Sequence, residues 1–198
     1  MTDYIDLPGS DPDKTPKISA RNLAGSSAGR PEADFYPTPR DAVEALLRNE
    51  TFAGSIWENS CGDGAICRVL EDHGYRDIIA TDLVDRGYGE TGHDFITSSY
   101  TADNVVMNPP FSLAQQFVEL SLARTTGKVA MLGKLQFLEG QKRQPFFLAT
   151  PLARVYVFSK RVNFYRGGEK GSYSTSTMCF AWFVWEHGYA GEPVVRWL

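Results

Sequence analysis

No stretch of this 198-residue chain holds the roughly 18 consecutive apolar residues that a membrane span needs, and the chain is polar from Thr2 onward, unlike a secretory signal. A soluble, non-exported, cytosolic protein with no membrane partner is the expectation. Cysteine is scarce. Cys61, Cys67 and Cys179 are odd in number and lie in apolar or glycine-rich runs, which argues against a secreted disulfide framework and for a reducing compartment. His93 stands in a loop without a second ligand at metal-binding spacing, so no metal site is expected. The dinucleotide fingerprint G-x-G-x-x-G is incomplete: Gly62 and Gly64 hold its first two positions and Cys67 stands at the third. No internal repeat is present.

What the chain does have is an apolar content of 42%, enough for one domain with a full core and too little length for two generous ones. Its net charge of −4 conceals an asymmetry. Met1 to Ala123 carries 9 Lys+Arg against 20 Asp+Glu, or −11, while Arg124 to Leu198 carries 11 against 4, or +7. The basic half could face phosphate, or its charges could simply be solvated. Residues 1–33, rich in Gly, Ser, Pro, Asp and Lys without a sustained period, read as a flexible arm, with the folded domain over 34–198.

In that domain, Thr38 suits a helix N-cap and Pro39 the first helical position, with Ala42, Val43, Leu46 and Leu47 at helical spacing. Short apolar runs then alternate with helical patterns. Strands are expected at 55–58, 77–81, 104–107 and 128–132, and helices at 65–73, 112–123 and 141–148. The alternation implies a doubly wound α/β fold with a mostly parallel sheet. The last third reads as an antiparallel hairpin. Its second arm, 177–185, is apolar on both faces and therefore interior.

Three segments carry candidate chemistry. Glu58-Asn59-Ser60-Cys61-Gly62-Asp63-Gly64 lies between a strand and a helix, where glycines admit close backbone approach and the helix offers free N–H groups. An ordinary strand-to-helix turn would use the same residues. Asp82 ends the next strand, 18 positions past Gly64, where a carboxylate can accept from both hydroxyls of a ribose or else cap a loop. Asp94, beside Phe95, could accept from an adenine amino group. The sharpest signal is Asn108-Pro109-Pro110-Phe111, directly after an apolar strand, where open α/β sheets present their ligand crevice. Two prolines remove two donors and leave carbonyls free, and the Asn108 side chain supplies another acceptor. Such an array suits an amino group whose lone pair is otherwise delocalised into an aromatic ring, with Phe111 stacking on that ring as on a flipped base.

Together these segments resemble the class I S-adenosylmethionine-dependent amino-methyltransferases with an N-P-P-F motif, in particular the N-6-adenine DNA methyltransferases and their small phage-type relatives. The resemblance covers most of Phe35 to Trp185. It implies a seven-stranded Rossmann-like sheet ending in a reversed hairpin, S-adenosylmethionine as cofactor, and methyl transfer to an exocyclic amine, with N-6 of adenine in DNA favoured. By resemblance Tyr36, Thr38, Pro39, Glu58, Ser60, Gly62, Gly64, Asp82, Leu83, Asp94, Phe95 and Asn108 would hold the cofactor. Asn108, Pro109, Pro110 and Phe111 would hold the amine. Ser60 departs from the pattern, standing where many members carry the loop's first glycine, and no insertion is large enough for a separate recognition domain. Substrate contacts would then come from the arm or from Lys160, Arg161, Phe164 and Arg166, basic and aromatic residues interleaved as in a single-strand binder, or equally as in a solvated hairpin tip. The same motif occurs in methyltransferases acting on RNA or protein glutamine. A silent fold that binds nucleic acid or a partner subunit is the alternative of another class.

Overall fold

The structure is a computed structural model that describes residues 35–164 and 178–198. The proposed arm and Arg166 lie outside the described residues. Among the described residues, four helices, α1 (Arg40–Leu47), α2 (Ala65–Asp72), α3 (Ala114–Ala123) and α4 (Gln144–Ala149), accompany seven strands. These are β1 (Ile56–Glu58), β2 (Ile78–Ala80), β3 (Asn104–Met107), β4 (Lys128–Lys134), β5 (Leu152–Val157), β6 (Phe180–Glu186) and β7 (Val194–Trp197). They form one sheet in the order β2-β1-β3-β4-β6-β5-β7.

The pairs β1–β2, β1–β3, β3–β4 and β5–β7 are parallel, whereas β6 runs antiparallel to both β4 and β5. Strand β6 is thus interior, as its doubly apolar sequence requires. The chain leaves β1 toward β2 and later returns on the other side through β3 and β4. The carboxyl ends of β1 and β3 therefore flank a topological switch point, where open sheets bind ligands.

Period-2 alternation sorts each interior strand between two cores. Ala130, Leu132, Trp182 and Val184 pack with Val43 and Leu46 of α1 and Ile66 and Leu70 of α2. Val129, Met131, Phe183 and Trp185 pack on the opposite face with Phe117 and Val118 of α3 and Phe146 of α4. The Trp182 indole donates to the Ala42 carbonyl at 2.8 Å, fixing α1 on the sheet.

Several sequence expectations are corrected. Pro39, with φ −59° and ψ 137°, is the N-cap of α1 and not its first residue, so Thr38 does not cap the helix. The helix expected over 112–123 begins as a 3-10 turn, Phe111–Leu113, because Pro110 holds an extended ψ of 122° directly before it. The helix expected at 141–148 is shorter and later. The antiparallel hairpin of β5 and β6 is present as expected, and β7 adds a parallel edge strand beside β5. All four of its residues are exposed, so no burial pattern advertised it. Among the described residues, no helix is long and apolar enough to cross a membrane.

Candidate nucleotide and amine site

Strand β1 delivers Glu58 to the start of the glycine loop, but its carboxylate does not face outward. At 2% exposure, its Oε2 accepts from the Cys67 backbone N–H at 3.2 Å and the Cys67 thiol at 2.8 Å. A carboxylate bonded to the first turn of α2 braces the loop from beneath, a supporting position unlike the cofactor contact expected from sequence. Burial, aided by Asp82 and Asp63, holds its carboxyl well above the ordinary carboxylate range.

Above it the backbone turns through Gly62 and Gly64, with φ of 56° and 81°, a region that favours glycine. Space demands glycine as well. A Cβ on Gly62 would lie 2.4 Å from the Phe35 ring, and one on Gly64 2.4 Å from the Tyr88 ring. Asp82 closes the loop from β2: its Oδ2 accepts from Gly62 N–H and its Oδ1 from Val84 N–H, both at 2.8 Å. Each oxygen accepts one of these bonds and keeps lone-pair capacity. Leu83, next to it, is 63% exposed and offers an apolar face at the crevice.

Three buried polar atoms, Asn59 Oδ1, Ser60 Oγ and Asp63 Oδ1, have no hydrogen-bond partner among the described residues, and all belong to this loop. Unpaired buried polar groups cost about 1–3 kcal/mol each, and three of them are concentrated in this one turn. Other residues expected at the site also make internal contacts. Asp94 Oδ1 caps its own turn through Ile96 N–H at 2.9 Å. Phe95 is buried between Trp57 and Phe117, with ring centroids 5.1 and 4.6 Å away. The Pro39 carbonyl accepts from α1 at Ala42. Among the described residues no group of three or more His, Cys, Asp or Glu is placed to hold a metal.

The register Trp57–Val105 sets the carboxyl ends of β1 and β3 side by side, with Asn108 directly after β3. The Asn108 Nδ2 donates to Thr38 Oγ1 at 3.1 Å and to the Tyr36 carbonyl at 3.4 Å. A carbonyl can only accept, so the amide must meet Tyr36 with its nitrogen, and Oδ1 is left for another donor. One segment thus straps both halves of the site, with Phe35 on Gly62 and Tyr36–Thr38 on Asn108. Pro109 is buried and Pro110 exposed. Phe111, 36% exposed, lies 5.8 Å from Phe180 and carries the Lys134 ammonium 4.6 Å from its ring centroid.

Phe164 is corrected from a stacking platform to a core residue. It is 7% exposed and packs against Tyr36 and Phe180. Lys160 and Arg161 are exposed on the approach to it. Sequence reading missed Phe180 and Lys134. Both sit at the ends of apolar strands, and only the antiparallel pairing of Lys134 with Phe180 brings them beside Phe111.

No protein-family model matches the chain, and no curated protein sequence does either. Solved structures do. A candidate class I S-adenosylmethionine-dependent methyltransferase from Listeria monocytogenes superposes with a TM-score of 0.60 at 14% identity, covering 88% of this chain and 68% of that one. A candidate RNA methyltransferase from Pyrococcus horikoshii gives 0.59 at 12%, covering 85% and 96%. The modification subunit of a candidate type I restriction enzyme from Vibrio vulnificus gives 0.55 at 11%, covering 87% of this chain, which spans about half, 48%, of that subunit. At such identities the likeness establishes the fold: this chain is built on the Rossmann-like α/β architecture of class I methyltransferases.

Proposed function

We propose that this chain transfers a methyl group from S-adenosylmethionine to a planar exocyclic amine, and that the acceptor is N-6 of adenine in DNA. The observation that carries the reading is the orientation of Asn108 at the switch point. Its nitrogen is tied to Thr38 and Tyr36, so that Oδ1 and the Pro109 carbonyl remain as acceptors beside the glycine loop. The unpaired atoms of Asn59, Ser60 and Asp63 fit the polar amino-acid end of the cofactor. Asp82 fits the ribose hydroxyls and Leu83 the adenine face.

When bound, the cofactor supplies an electrophilic methyl on its sulfonium for direct in-line displacement. The chain contributes position. Two acceptors that take both hydrogens of the target amine favour the pyramidal nitrogen, whose lone pair is then free to attack. Phe111, exposed at its edge of the crevice, holds the ring plane. Fixing that geometry before the encounter removes entropy from the barrier, the main source of rate in a reaction that needs no metal and no covalent enzyme intermediate. The nucleic-acid assignment is supported by the basic C-terminal half and by fold neighbours that include a candidate RNA methyltransferase and a restriction-enzyme modification subunit.

Asn108→Ala separates the roles. Turnover should fall by roughly 100-fold or more, the scale set by losing one aligned polar group in a reactive site, while calorimetric affinity for S-adenosylhomocysteine stays near wild type. A variant with near-normal turnover sinks the assignment.

A further inference from the structure

Beyond Phe111 the crevice continues into a cleft of 260 Å³ lined by Phe111, Ser112, Lys134, Gln136, Phe137 and Arg143, with no acidic residue on its walls. Its two cations are held on aromatic faces. Lys134 Nζ lies 4.6 Å from the Phe111 centroid and Arg143 Cζ 5.1 Å from that of Phe137. Arg143 is further fixed by Nη1, whose two hydrogens are shared among the carbonyls of Gln136, Phe137 and Glu139 at 3.1, 2.9 and 2.8 Å. Among the described residues neither cation has an ion-pair partner. Both belong to the C-terminal half of the chain, which carries +7. Prior fixation lowers the entropy cost of binding an anion, and a planar guanidinium suits phosphate oxygens.

We infer that this cleft receives the phosphodiester adjoining the target base, with Lys134 and Arg143 on the phosphate and the exposed edges of Phe111 and Ser112 against its sugar. The volume, 260 Å³, accommodates a phosphate with its sugar. The inference rests on the nucleic-acid reading above. It gives Phe111 two faces of duty, the target ring on one side and the Lys134 cation on the other.

The test is fluorescence anisotropy of a short oligothymidine carrying one adenine, and of its RNA counterpart, titrated with protein and S-adenosylhomocysteine across a salt series. Wild type should bind with affinity falling linearly in log–log form. Lys134→Gln should weaken binding several-fold and lower the slope by about 0.7, the value of one phosphate contact on a single strand. Lys134→Arg, which keeps the charge, should retain the slope, and so should Arg48→Gln, at the far end of α1. If wild type binds but Lys134→Gln leaves slope and affinity unchanged, the cleft is not the phosphate site while the methyltransferase reading stands. If wild type binds neither oligonucleotide, the nucleic-acid reading fails and takes this inference with it. A reduced slope on both probes supports the shared phosphate site, and the tighter of the two identifies the natural polymer.

Discussion

Replacing Glu58 by glutamine should change how stability depends on pH without collapsing the fold. The carboxyl is 2% exposed and raised well above its ordinary value of 4.5, first by burial and then by Asp82 and Asp63. The folded chain therefore keeps this proton to higher pH than the unfolded chain does. Between 4.5 and the folded value the native state binds more protons, so stability falls as pH rises. The contribution is fully present below 4.5 and lost through the folded value, with a slope approaching 1.4 kcal/mol per pH unit. Glutamine has no proton to lose and can still accept from Cys67 N–H. Urea titrations of both proteins at successive pH values should give a difference curve that is flat below 4.5, climbs above it in favour of Glu58→Gln, and levels off. Glu50 acts in the opposite window. Burial would raise its carboxyl, but bonds from Arg154, Lys128 and Tyr156 outweigh that and hold it low, so its stabilisation is present above 4.5 and lost as pH falls. Being common to both proteins, it cancels in the difference. Parallel curves above 4.5 would refute the account of Glu58 as a buried, protonated brace.

The Glu50 carboxylate is shared between Arg154 and Lys128, so Glu50→Ala should cost about 2 kcal/mol by leaving the half-buried Lys128 without its ion pair and Arg154 with Glu186 alone; chemical denaturation showing less than a third of that would contradict it. Thiol titration of native protein at neutral pH should find Cys179, which is exposed, reacting first. Cys61 should react slowly, its thiol pushed up to about 12 by burial and then by Glu58, and Cys67 slower still. Fast modification of all three would show the loop to be open. Asp82→Ala should weaken S-adenosylhomocysteine binding by about 2 kcal/mol, roughly thirtyfold, through loss of charged acceptors, with an unchanged far-UV spectrum; equal affinity would remove Asp82 from the site.

The central strands were legible because β3, β4 and β6 are continuous apolar runs, and strands buried on both faces have little other choice. That the chain leaves the sheet at Asn108 was legible because two prolines follow a strand and cannot continue it. Strand β7 was not. Val194, Val195 and Trp197 are exposed, and they pair only because β5 already offers an edge. Glu58 was misread in direction: strand-end position is visible in sequence, but which way a carboxylate turns depends on Cys67 N–H, supplied by the helix beyond. Phe164 was misread for the same reason, since its apparent loop sits against Tyr36 and Phe180, neighbours contributed from far along the chain.

The most direct test of the central claim is nucleoside mass spectrometry of adenine-containing DNA incubated with wild-type protein and S-adenosylmethionine. The account predicts that N-6-methyldeoxyadenosine accumulates with time and that Asn108→Ala produces none above background. Saturable binding of S-adenosylhomocysteine with no methylated adenine in DNA would contradict the assigned acceptor and leave only a cofactor-binding fold.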